Sequence, residues 1–153
     1  MRVLLFLLSG LLFFASCKKD NSSSTTEVPT PANGIQALEA QVMAIHDEVM
    51  PKMKDITELS AKLREIKSNV QEDSNGKIVY PDGLDQVSSA LKLAEQGMWD
   101  WMKAYSDTKA TLKEDQLESF YKSQLELVSK VKSDMLSAIE KGQTWLNNYE
   151  QAK

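Results

Sequence analysis

Excess positive charge, paired cysteines and a second long apolar stretch are all missing from this chain, and each absence removes a class of protein. Lys and Arg number 18 against 22 Asp and Glu. Of these only Arg2 falls within residues 1–16, so the remainder is more acidic than the whole, at −5. Nucleic acid, whose phosphates demand clustered basic residues, is therefore not an expected partner. An electrostatic grip on anionic lipid is disfavoured for the same reason. One cysteine, Cys17, forbids an internal disulfide, and a lone thiol in an exported protein needs a reason to be there. Six glycines and four prolines are few for a turn-dense sheet protein. The hydrophobic content of 42%, with abundant Glu, Lys, Leu, Ala, Gln and Ser, fits an all-α domain instead.

The amino end has its own character. Met1 and Arg2 are followed by an apolar run from Val3 to Phe14, broken only by Ser9 and Gly10, and then by the small residues Ala15 and Ser16. This is signal-peptide anatomy. The run is shorter than the roughly 20 residues that cross a bilayer as a helix. Phe14-Ala15-Ser16-Cys17 resembles the lipobox of bacterial lipoproteins, with Phe14 in place of the usual Leu. That resemblance implies a diacylglyceryl group on the Cys17 sulfur, a stable anchor because more than one acyl chain is involved. Residues 18–33 (KKDNSSSTTEVPTPAN) are polar and carry Pro29 and Pro31, a tether with a root-mean-square reach of roughly 20–25 Å. The expected division is a signal peptide over 1–16, a lipidated terminus and flexible tether over 17–33, and a helical domain over 34–153. The outer membrane is favoured over the inner, and the side the domain faces is left open.

From Ile35 the apolar positions 35, 38, 42, 45, 49, 56, 59, 63, 66 and 70 step by three and four, a heptad seam. Pro51 lacks a backbone donor and clashes with the carbonyl of Asp47, which predicts a kink in this first helix. Asn33 with Gln36 reads as its capping box, and Ser74-Asn75-Gly76 as its stop. Residues 77–81 form an extended connection, with Asp82 as the next cap. The seam resumes at Leu84, Val87, Leu91, Ala94, Met98, Trp101 and Tyr105. Thr111 and Glu114 predict the capping box of a third helix, with Leu117, Tyr121, Val128, Val131, Met135, Ala138 and Trp145 on its seam. Phe120, Leu125, Leu127, Ile139 and Leu146 widen that face. A stripe this wide touches two neighbours, so the expectation is an antiparallel three-helix bundle with long first and third helices. Ala138 and Gly142 leave room for bulky neighbours or a close helix.

The one histidine, His46, lies with Met43, Met50 and Met53 at spacings of three, four and three, one stripe beside the seam. Met98 and Met102, with Trp99 and Trp101 between them, stand on the second helix. Imidazole and thioethers suit a soft ion such as Cu(I). Set beside this is the simpler reading in which methionines fill gaps in a core and lie against tryptophan. No C-x-x-C-H haem motif, nucleophile elbow, Gly-rich loop or second zincin histidine accompanies His46. Trp99, Trp101 and Trp145 are the candidate interaction residues.

Taken together, His46 to Met53 (HDEVMPKM), Met98 to Met102 (MWDWM) and Asp134 to Gly142 (DMLSAIEKG) resemble a family of small Bacteroidetes-type lipoproteins often labelled "viral A-type inclusion protein". The resemblance covers most of residues 35–150. It implies a lipid-anchored helical protein and no particular activity. The leading expectation is a non-catalytic envelope protein, held to the membrane at Cys17, whose helices bind an envelope partner or a second copy, with no cofactor. The alternative is an envelope Cu(I)-binding module built on the His/Met cluster.

Overall fold

Periodic apolar spacing and few helix breakers produce an all-α structure. The computed structural model describes residues 34–70 and 72–152; the leader, Cys17, the tether and Asn33 lie outside them. Four α-helices follow in order: α1 (Gly34–Val49), α2 (Met53–Ser68), α3 (Leu84–Lys109) and α4 (Leu117–Gln151). A 3-10 turn, Met50–Lys52, separates α1 from α2, and another, Glu114–Gln116, leads into α4. The described residues therefore form three helical stretches. Among the described residues there is no strand, only an isolated antiparallel bridge between Glu72 and Ile78.

The seam residues form the core. Val42, Val49, Ile56 and Leu63 from the first stretch, Leu84, Leu91 and Met98 from α3, and Tyr121, Val128 and Met135 from α4 are almost wholly buried. Burying each aliphatic side chain of this set is worth about 1.5–3 kcal/mol. Ile35, Leu38, Ile45, Ile66, Val87, Val131 and Trp145 flank this core, partly buried. The helices approach closely at Gly142, where a Cβ would sit 3.3 Å from Leu91 and 3.5 Å from Leu59. The space left by this glycine is filled by leucines of α2 and α3 within the same chain. Leu127, expected to widen the buried face of α4, is instead exposed. The polar residue Gln124 is buried on α4, one turn beyond Tyr121.

Several helix ends differ from expectation. The first stretch stops at Ser68, before the Ser74-Asn75-Gly76 signal. The Asn69 N–H donates back to Glu65 and Ile66, and the Ser68 hydroxyl donates to the Glu65 carbonyl. Ser74 to Gly76 close a separate turn. There the Asp73 carboxylate accepts from the N–H groups of Asn75 and Lys77, which holds its carboxyl below the ordinary range, and Gly76 takes φ +75°. At the start of α3 the cap position belongs to Gly83, at φ +80°, with no side-chain cap. Asp82 contributes its backbone carbonyl, which accepts from the Trp145 indole at 2.7 Å. The Thr111 hydroxyl donates to the Thr108 carbonyl at the end of α3, so it closes one helix where it was expected to open another. The lead into α4 is made two residues later, where the Gln116 side chain accepts from the Lys113 N–H at 3.0 Å.

Candidate functional site

Helix α1 presents His46 toward α3. Its Nε2 lies 3.3 Å from the Met102 sulfur, while its Nδ1 is 2.8 Å from a carboxylate oxygen of the adjacent Asp47. The Trp101 ring is 5.7 Å from the imidazole, centroid to centroid. The His46 side chain keeps only 17% of its exposure, whereas Asp47 keeps 72%. Met102 is part-buried against the core. Two soft donors, 56 residues apart in sequence, thus meet at contact distance.

The other candidate methionines surround this pair unequally. Met98, one turn before Met102 on α3, is fully buried. Met43 and Met50, one turn to either side of His46, are half-buried; Met50 belongs to the 3-10 turn, and Met53 opens α2. Met50 and Met53 pack on the apolar core. The stripe expected along one continuous helix is therefore interrupted after Val49, and the contact that forms is between helices.

The three tryptophans have separate settings. Trp101 is buried, and its indole N–H donates to the Gln124 side-chain oxygen at 3.0 Å. From it a run of tilted ring contacts passes through Tyr105 and Phe120 to Tyr121, at 5.3 to 5.5 Å. Trp145 stacks on Tyr149 at 5.2 Å and borders a shallow groove with Val87 and Ala90. Trp99 points outward, 53% exposed.

Beside the aromatic run, the Lys109 ammonium pairs with the Glu39 carboxylate, about 5.7 Å from the Tyr105 ring centre and 5.9 Å from that of Tyr121. The hydrogen bond from Lys109 holds the Glu39 carboxyl below its ordinary pKa. The same bond raises Lys109 above the ordinary lysine value. Burial pushes both phenols up.

Sequence reading passed over Glu39, Lys109, Asp47 as a partner of His46, and Gln124. Only Gln124 left a detectable signal, a polar residue three beyond Tyr121 and four before Val128 on an otherwise apolar seam. Comparison with protein-family models, curated proteins and solved structures finds no match to this chain.

Proposed function

We propose that this chain is a lipid-anchored envelope protein whose helical body is a non-catalytic interaction or structural module. The leader ending in Phe14-Ala15-Ser16-Cys17 and the polar stretch that follows support the anchor. The outer membrane is preferred over the inner in this reading, with the facing side left open. The resemblance to small helical lipoproteins agrees with that address.

The observation that carries the interaction reading is Trp99. Helix α3 holds this indole outward at 53% exposure, while Trp101, two residues on, is buried. A rigid exposed tryptophan is a favoured anchor at protein interfaces, because it offers a large apolar area with little side-chain entropy to lose. Leu93, Leu127 and Leu136 are also exposed, but singly exposed aliphatic residues are normal on any surface.

In the same reading the three helical stretches form an antiparallel bundle bent at Pro51. The ion pair Lys67–Asp85 joins the end of α2 to the start of α3, and Lys109–Glu39 joins the end of α3 to the start of α1. Trp101–Gln124 and Trp145–Asp82 relate α3 and α4 in the same reversed order. Pro51 stands in the 3-10 turn between α1 and α2, where it cannot donate to an i−4 carbonyl.

Two measurements test the proposal. Metabolic labelling with a fatty acid, followed by fractionation, should place the wild-type chain in membranes and the Cys17→Ala chain outside them. A photo-crosslinker at position 99 of the full chain, in its own cells, should yield one defined adduct with a second copy or an envelope protein. A membrane-free wild type removes the anchor; an adduct-free, monomeric chain removes the interaction.

A further inference from the structure

Both ring nitrogens of His46 face atoms that can only accept. The Asp47 carboxylate oxygen at 2.8 Å carries no hydrogen when ionised, and a thioether sulfur never does. A neutral imidazole has one N–H to share between them. Oxygen is the stronger acceptor, so the proton belongs on Nδ1 toward Asp47. This leaves the Nε2 lone pair directed at the Met102 sulfur lone pairs across 3.3 Å. A cation seated between the two atoms, a proton or a metal ion, would satisfy both lone pairs. We infer that His46 Nε2 and Met102 Sδ form a binding site for a soft monovalent cation, Cu(I), shared between α1 and α3.

Four features favour this ion. Imidazole with thioether is a donor set that prefers Cu(I) over hard divalent ions, which select carboxylates and water. Among the described residues no group of three or more His, Cys, Asp or Glu side chains could hold such a hard ion. With first-row metal bonds of about 2.0 Å to nitrogen and 2.3 Å to sulfur, the observed separation subtends about 100° at the metal, within reach of trigonal or tetrahedral geometry. Asp47 on Nδ1 also reproduces the carboxylate–histidine pairing that fixes the tautomer and raises the basicity of a metal-ligating imidazole.

A trigonal set needs one more soft donor. Met43 and Met50 lie one helical turn from His46, and Met98 lies one turn from Met102, so each is a neighbour of the pair. Met53 is seven residues from His46, at least about 10 Å along the axis, and lies outside the set.

The site is tested in the full chain carrying Cys17→Ser, purified in detergent, so that no thiol competes. Anaerobic titration with Cu(I) against a colorimetric chelator should show one equivalent bound, and X-ray absorption of that complex should show nitrogen and sulfur ligands together. His46→Gln and Met102→Leu should each abolish the one-to-one complex. Met102→Leu nearly conserves volume and keeps the packing, so it remains decisive if His46→Gln folds poorly. Asp47→Asn, on the surface, should weaken binding about 10- to 100-fold, the usual effect of losing such an outer partner. Absence of a one-to-one complex, sulfur-free ligation, or binding unchanged in Met102→Leu would overturn the assignment. So would an imidazole that simply takes up a proton toward Met102 and is unaffected by Cu(I) in its NMR spectrum.

Discussion

Single side chains set the strongest local constraints here. The buried amide of Gln124 has the Trp101 indole N–H as its partner. Trp101→Phe keeps most of the apolar volume but strands the amide oxygen, so unfolding free energy should fall by about 1–3 kcal/mol. Urea titration followed by circular dichroism would measure this, and a loss below about 0.5 kcal/mol would mean that the amide finds water. The Glu39–Lys109 pair makes a pH-dependent contribution. The Glu39 carboxyl is depressed in the folded chain relative to its ordinary 4.5, so its stabilisation is full above that value and disappears as pH falls through the lower, folded value. The pair is partly exposed, so solvent screens it and the effect is modest. Glu39→Gln should therefore lower Tm near neutral pH slightly and flatten the loss of Tm as pH falls below about 4.5. Parallel acid limbs in mutant and wild type would contradict this.

At the level of elements, the turn before α3 depends on Gly83. Its φ of +80° costs a residue with a Cβ about 1–2 kcal/mol. An added Cβ would also meet the Trp145 indole nitrogen at 3.2 Å. Gly83→Ala should lower stability by at least that amount and redshift Trp145 emission as the indole leaves the Asp82 carbonyl. At Gly142 the sign differs. Alanine gains about 1 kcal/mol of helix propensity and meets only the methyl ends of Leu91 and Leu59. Gly142→Ala should thus stay within about 1 kcal/mol of wild type, while Gly142→Leu, which overpacks the same place, should cost about 1–3 kcal/mol or more. Thermal melts of the pair settle the matter.

The existence of these helices was legible in the three-and-four spacing of residues such as Val42, Val49 and Ile56, because burial on one face of a helix imposes that period. Their ends were less so. Asp82 and Thr111 are good cap residues by type, but Gly83 and Gln116 occupy the deciding positions, since tertiary contacts such as Trp145 on the Asp82 carbonyl outweigh local preference. The candidate site was half visible. His46 and the methionines announced themselves by chemistry; that His46 meets Met102 on α3 depends on how two helices are set against each other, which no one-dimensional pattern contains.

Across the whole molecule, Leu59, Leu91 and Gly142 bring three helical stretches to one point. Residues 34–152 should then lose structure in a single transition, with Trp101 and Trp145 reporting the same midpoint in single-tryptophan variants. Separate midpoints would show that α2 or the far part of α4 comes away alone. Hydrocarbon surfaces alone tolerate sliding, since one leucine fits against another almost as well a turn away. The Trp101–Gln124 bond does not, because a shift of one turn, about 5.4 Å, would leave a donor and an acceptor both dry and unmatched. That single amide acts as a notch: it makes neighbouring alignments of α3 and α4 discrete alternatives with a gap between them, and so gives one geometry to everything mounted on those two rods.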